Sequence, residues 1–301
     1  MARMMHPDEH PLDAALVRRL IAGRFPEWAS LDVTRLPSGG TVNAMFRLGG
    51  RMVVRLPLTP GGAGDVTLER TWLPRLAPLL PVALPEVLGA GEPTPDYPYP
   101  WSVYGWLDGT NPEPGALTDP VGLAGDLAAF VTAMRAVTLP DAPGAHRGGP
   151  LAVQDPGTRE AIDALRKLPA EGVDCDAVTA VWDRALAAPA WDGAPGWLHA
   201  DLMPGNLLVS SGGRLGAVID FGCTGAGDPA CDLFPAWNLL PAGAARDAFR
   251  AGVGVDDATW LRGRARTLSQ AVVALPYYRT TNPAMAGNAR HVIREVLAEE
   301  R

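Results

Sequence analysis

The reading of this chain turns on the stretch Trp197-Leu198-His199-Ala200-Asp201-Leu202-Met203-Pro204-Gly205-Asn206-Leu207-Leu208-Val209, which runs on through Ser210-Ser211-Gly212-Gly213 to Ala217-Val218-Ile219-Asp220-Phe221-Gly222. Two apolar runs, Leu207 to Val209 and Leu215 to Ile219, flank a Ser/Gly turn signal, the pattern of a β-hairpin. Asp201 and Asn206 stand just before the first run and Asp220 just after the second. A hairpin returns on itself, so the entrance of one strand lies beside the exit of the other. That topology is expected to bring Asp201, Asn206 and Asp220 together.

Such a grouping suits phosphoryl transfer. Magnesium is a hard cation that takes oxygen ligands, commonly one or two protein groups with substrate phosphates and water. Asn206 and Asp220 offer those oxygens, which leaves Asp201 to orient an acceptor hydroxyl and take its proton. Protein kinases space an Asp, an Asn five residues later and an Asp-Phe-Gly in this order. The competing reading is that these polar residues merely cap turns around an ordinary hairpin. A lone Asp-Phe-Gly would merit it, but two motifs in the right order on the right element favour the catalytic one.

With 301 residues the chain can bury one large core or two modest ones. Its net charge of −7 argues against nucleic acid as a partner, because phosphate backbones call for basic surface. Cys175, Cys223 and Cys231 make an odd, sparse set with no CxxC spacing, so free thiols in a reducing, cytoplasmic setting are expected rather than disulfides or zinc. Met1 to Leu20 lacks the apolar segment of a signal peptide, and no apolar run approaches the length of a bilayer span, so no membrane partner is expected.

Along the chain, Leu12 to Phe25 has helical spacing and Leu31 to Leu36 alternates like a strand. Pro37-Ser38-Gly39-Gly40-Thr41-Val42-Asn43 interrupts. Strands are expected over Ala44 to Leu48 and Met52 to Leu56, joined at Gly49-Gly50. A glycine loop between antiparallel strands can lie over a triphosphate, although a plain turn reads equally well. Arg55 ends the third strand. Asp65 to Leu80 reads as a helix limited by Pro74 and Pro78, and it carries Glu69, a partner for Arg55. Trp101 to Leu107 reads as a strand that runs out at Asp108-Gly109, as a hinge between lobes would. Its aromatic side chains also read as core. Helices are expected over Asp119 to Thr138, Thr158 to Leu168, Asp176 to Ala188, Phe234 to Leu240, Gly243 to Gly252, Asp257 to Pro276 and Pro283 to Arg301. Leu139 to Pro156 reads as a loop. The expectation is an α+β, two-lobed protein with a cleft between the lobes. The small β-rich N-lobe is expected over residues 1–107 and the larger, mainly helical C-lobe over residues 108–301.

The motifs His199-Ala200-Asp201-Leu202-Met203-Pro204-Gly205-Asn206, Val218-Ile219-Asp220-Phe221-Gly222 and Gly227-Asp228-Pro229-Ala230-Cys231-Asp232 resemble those of the aminoglycoside phosphotransferase family, the small-molecule branch of the protein-kinase-like fold. The resemblance implies ATP or GTP as donor and Mg2+ as cofactor. It makes Asp201 the base, with His199 orienting its loop, and Asn206 and Asp220 the metal ligands. Ser38, Gly39, Gly40, Thr41 and Asn43 would cover the phosphates with Arg55 and Glu69 behind them, and the backbone at Tyr104, Gly105 and Leu107 would hold the base. Asp228 and Asp232 would support the catalytic loop. Departures from the family pattern are Arg55 for Lys, Met203 for a polar residue, Cys223 for an acid and Ala200 for Gly. The last is tolerable where φ is negative.

The acceptor pocket is expected from the helices after Asp232, where Asp247, Asp256, Asp257, Glu295, Glu299 and Glu300 would suit a cationic aminoglycoside. Trp237, Trp260, Tyr277 and Tyr278 would suit a less charged acceptor. The leading expectation is a kinase for a hydroxyl of an aminoglycoside-type antibiotic. Its alternatives are a macrolide or a metabolite acceptor (amino alcohol, sugar, homoserine), and a nucleotide-binding regulator without turnover. No feature separates ATP from GTP or specifies an oligomeric state.

Overall fold

Alternating burial along Asn43–Leu48 (β2), with Ala44, Phe46 and Leu48 inward, starts a sheet that the Gly49-Gly50 turn continues into Met52–Pro57 (β3). Val33–Arg35 (β1), Val87–Gly91 (β4) and Trp101–Gly105 (β5) complete it in the order β1-β2-β3-β5-β4, every pair antiparallel. The structure is a computed structural model and describes residues 9–37 and 42–299. Ala14–Arg24 (α1) is capped by Asp13, whose carboxylate accepts from Leu16 N at 2.7 Å. It packs Val17 and Ile21 into a core with Phe46, Leu48, Val54 and Trp101.

The helix expected from Asp65 begins at Pro60 and runs through Pro74 to Leu76 (α2). Proline at the first helical position gives up an N–H that has no helical partner there, so Pro60 starts the helix at little cost. Pro74 stands near the C-terminal end, where one lost bond does not stop the last turn. Of the glycines that hid this start, Gly62 has a packing reason: a Cβ there would lie 2.8 Å from Val42 Cγ1. Strand β4 was not expected, because prolines and glycines break its apolar pattern.

The fold divides into two units. One comprises the described residues up to Leu79 with Ala83–Asp108 and Ala217–Gly222; the other comprises Leu80–Val82, Gly109–Gly216 and the residues from Cys223 on. The second unit is mainly helical, with Pro120–Ala136 (α3), Asp155–Arg166 (α4), Cys175–Ala187 (α5), Pro235–Asn238 (α6), Ala244–Val253 (α7), Asp257–Tyr278 (α8) and Pro283–Ala298 (α9). Asp119, Asp174, Asp256 and Asn282 cap α3, α5, α8 and α9 through their side chains. Helix α8 packs against α4, α5 and α9. Two short strands the sequence pattern did not mark, Gly196–Leu198 (β6) and Gly225–Gly227 (β9), pair antiparallel. The expected hairpin is present as Leu207–Val209 (β7) and Leu215–Val218 (β8), with Gly213 left-handed in its turn. Among the described residues no helix is long and apolar enough to cross a membrane. Cys175, Cys223 and Cys231 are free thiols.

Candidate active site

In the first unit a charged cluster is built on β3, α2 and the segment after β8. Arg55 is buried and forks between two carboxylates, with Nη1 2.7 Å from Glu69 and Nη2 2.8 Å from Asp220. With its amide oxygen turned to the guanidinium, Asn43 accepts from Arg55 Nη2 at 2.9 Å and Nε at 3.2 Å. Glu69 also accepts from the Tyr104 hydroxyl and from Phe221 N, the latter at 2.8 Å. Burial alone would lower the Arg55 pKa, but Asp220 and Glu69 more than offset it and hold it above its ordinary value. Burial raises the Glu69 carboxyl against the opposing pull of Arg55. It also raises the Tyr104 hydroxyl, with Glu69 adding to it, so the tyrosine stays a donor. One guanidinium thus serves two carboxylates. Asp220 is the more exposed partner, with a side chain 41% exposed against 1% for Glu69, and its φ is +64°.

In the second unit the loop after β6 is held from beneath. His199 and Ala200 are fully buried, and the Asp232 carboxylate accepts from both backbone N–H groups at 2.8 and 2.7 Å. Ala200 has φ +64°, the left-handed region that L side chains enter at a cost, so the condition for tolerating Ala in place of Gly is not met. The paired bonds to Asp232 hold the backbone there despite the methyl group. Burial raises the Asp232 pKa, against the pull of His199 and of the two N–H groups. His199 Nδ1 accepts from Asp201 N at 3.2 Å, so the ring orients the loop backbone. Asn206 Nδ2 donates to Asp201 O at 2.9 Å and to its Oδ2 at 3.1 Å. Those bonds direct the Asn206 amide oxygen away from Asp201.

The residue that sequence reasoning missed is Arg147. It lies in the stretch read as a plain loop, and its guanidinium donates to Asp201 Oδ1 and, at 3.3 Å, to Ala200 O. Burial lowers its pKa, but Asp201 outweighs that and the net shift is upward. The loop is fixed by its backbone. Arg266 of α8 donates to Arg147 O at 2.8 Å and to Gly149 O at 2.5 Å. Asp228 N donates to Gly148 O at 2.9 Å. A Cβ on Gly227 would lie 2.6 Å from Gly148 Cα, so glycine is what lets these backbones approach. Arg266 and Arg262 in turn pair with the Asp228 carboxylate. Burial raises that carboxyl, but Arg262, Ala230 N–H and Arg266 outweigh it and hold it below the ordinary range. An isolated Arg in a loop without periodicity gives no signal; only the fold shows where it points.

The expected site residues therefore fall into two sets. Asn43, Arg55, Glu69, Tyr104 and Asp220 come together in the first unit, and His199, Asp201 and Asn206 in the second. Ser38, Gly39, Gly40 and Thr41 lie outside the described residues. Gly105 N donates to Glu86 O and Trp106 N to Arg51 O, both within the first unit; Leu107 follows, half-buried. Of the acids expected in an acceptor pocket, Asp256 caps α8 and Asp257 pairs with Arg250. Glu295 and Glu299 pair with Arg246, Asp247 is exposed in the first turn of α7, and Glu300 lies outside the described residues.

The chain belongs to the phosphotransferase enzyme family, whose profile matches residues 32–267. It is a small-molecule kinase of the aminoglycoside phosphotransferase-like kind. Its fold is similar to that of APH(2'')-IIIa solved with GDP and kanamycin, at 20% identity and TM-score 0.72, covering 95% of this chain and 99% of that one. The streptomycin–ATP complex of APH(2'')-IIa is similar at 16% identity and TM-score 0.59, covering 92% and 99%. The apoenzyme of macrolide 2'-phosphotransferase MphH from Brachybacterium faecium is similar at 22% identity and TM-score 0.57, covering 94% and 98%. The fold is the two-lobed, protein-kinase-like α+β fold. A search of curated protein sequences finds no match.

Proposed function

We propose that this phosphotransferase moves the γ-phosphate of ATP or GTP to a hydroxyl of a small molecule, with Asp201 as the base that receives the hydroxyl proton. The observation that carries this is the way Asp201 is held: Arg147 on Oδ1, Asn206 on Oδ2 and His199 on its backbone N–H. A carboxylate fixed from three directions can align an acceptor oxygen without reorganising during the reaction.

The donor set fits magnesium, which needs hard oxygen ligands and would find them in Asp220 and the Asn206 amide. When bound, the ion supplies charge neutralisation for the transferring phosphoryl group. The exposure of the Asp220 carboxylate, 41% of its side chain, supports that assignment. Arg55 takes the place of the family lysine. Its fork keeps Glu69 and Asp220 in register. Residues 38–43 would cover the phosphates, and the backbone near Leu107 would meet the nucleobase. Residues 1–107 would form the nucleotide lobe and 108–301 the catalytic lobe.

For the acceptor, the carboxylates expected to receive an aminoglycoside are largely engaged by arginines and helix caps. That observation favours the less charged alternatives, a macrolide or a metabolite alcohol. The test is nucleotide consumption with magnesium over aminoglycosides, macrolides and metabolite alcohols. Acceptor-dependent turnover that chelation abolishes supports the proposal. Nucleotide binding with no transfer to any acceptor would point to a regulator instead.

A further inference from the structure

We infer that the Tyr104 side chain is a positioning residue for the Asp220 carboxylate, acting through Glu69 and Arg55. The inference rests on the reading of Asp220 as a metal ligand and adds to it the side chain that aims the ligand.

Asp220 stands in a backbone conformation that needs support. Its φ of +64° lies in the left-handed region, where a non-glycine residue persists only if its surroundings hold it. Glu69 supplies that hold from two sides. Its Oε1 accepts from Phe221 N at 2.8 Å, which fixes the peptide that follows Asp220. The same oxygen accepts from Arg55 Nη1 at 2.7 Å, and Arg55 Nη2 reaches Asp220 Oδ1 at 2.8 Å, which fixes the side chain. The peptide and the carboxylate of Asp220 are thus referenced to one oxygen, and a ring closes through Glu69, Arg55, Asp220 and Phe221. A turn of the Glu69 carboxylate about its Cγ–Cδ bond would break both ties together.

Tyr104 opposes that turn. Its hydroxyl donates to Oε2, the oxygen the ring leaves free, and among the described residues no other donor reaches that atom. Glu69 is 1% exposed, so solvent does not replace the hydroxyl. Tyr104 is fixed in turn by its strand: the register of β5 on β3 sets it opposite Val53, and Ser102 opposite Arg55. The next residue of α2 reaches the same strand, since Arg70 Nε donates to Ser102 Oγ at 3.1 Å. Consecutive side chains of α2 therefore tie the helix to β5, and Glu69 is the one that continues to Asp220.

The place of Tyr104 in the chain gives this tether a consequence. The backbone near Leu107, proposed to meet the nucleobase, follows directly on β5. One strand would then carry both the nucleobase contact and the hydroxyl that aims the metal carboxylate. Groups that hydrogen-bond behind a metal-binding side chain change metal affinity about 10–100-fold when removed.

The experiment measures Mn2+ binding to the protein with ADP and with GDP by electron paramagnetic resonance. Wild type is compared with Tyr104→Phe, Glu69→Met, the double variant and Asp220→Asn, each first checked for folding by circular dichroism. Nucleotide binding in the presence of a chelator is measured beside it by calorimetry. Tyr104→Phe keeps the ring and removes the donor. It is expected to weaken Mn2+ binding about tenfold and to change metal-free nucleotide binding less than about twofold. A general loosening of the fold would weaken both together. Glu69→Met removes both acceptor oxygens, so adding Tyr104→Phe to it is expected to change Mn2+ binding less than about twofold further. That second comparison involves no buried carboxylate and decides the matter where Tyr104→Phe alone does not fold. Mn2+ binding unchanged in Tyr104→Phe, or weakened equally with and without the Glu69 carboxylate, overturns the inference. Mn2+ binding that Asp220→Asn leaves intact overturns the metal reading of Asp220 instead.

Discussion

The carboxylate of Asp232 accepts from Ala200 N at 2.7 Å and so holds a left-handed alanine in the turn that presents Asp201. The same side chain takes His199 N through its other oxygen. One buried acid thus fixes two consecutive peptides immediately before the proposed base.

Asp232→Asn is expected to break this arrangement, because an amide offers one acceptor oxygen and turns its NH2 toward a backbone donor. A loss of about 2–3 kcal/mol in urea unfolding is expected. A fall in kcat is expected with it, since the turn that presents Asp201 is misplaced. Ala200→Val should be worse for stability than Ala200→Gly, because it adds a branched side chain to a buried left-handed position. A cost of about 3 kcal/mol is expected for valine and less than about 1 for glycine.

Arg55→Met should leave Glu69 buried against Asp220 with no counter-charge. A destabilisation of about 3 kcal/mol or more is expected, read by thermal or chemical unfolding, with loss of nucleotide affinity. Arg55→Lys keeps the charge and loses the fork, so it should fold better than the methionine variant and still release either Glu69 or Asp220.

The Asp228 carboxyl, held below its ordinary pKa, should contribute stability that is fully present above the ordinary carboxylate value. That contribution should be lost as pH falls through the lower folded value. Asp232 is shifted the other way and opposes it, so the pH profile of the wild type alone does not isolate Asp228. The stability difference between wild type and Asp228→Asn, from urea unfolding at pH 3–6, should be largest near pH 6 and shrink below about pH 4. A difference that stays constant across that range would contradict the ionised Asp228–Arg262–Arg266 network.

The sequence made the hairpin, the order of its motifs and most helices legible, because apolar periodicity and turn residues act locally. The pairing of Arg55 with Glu69 followed from their placement on a strand and the next helix. Arg147 did not follow, since its position depends on Arg266, Gly227 and Asp228 contacts made far along the chain. The conformation of Ala200 was hidden for a related reason: a tertiary contact from Asp232 overrides the local preference of alanine. The acids of α8 and α9 looked available because a sequence does not show that Arg246 engages Glu295 and Glu299, or that Glu299 accepts from Trp260 Nε1.

The most direct test of the account is transfer of labelled phosphate from the γ position of ATP or GTP to an acceptor, compared between wild type and Asp201→Asn. The variant keeps the size of the side chain and loses its capacity to take a proton. A fall of at least about a hundredfold in transfer, with nucleotide binding retained, is the predicted result. Undiminished transfer by Asp201→Asn would contradict the assignment of Asp201 as the base.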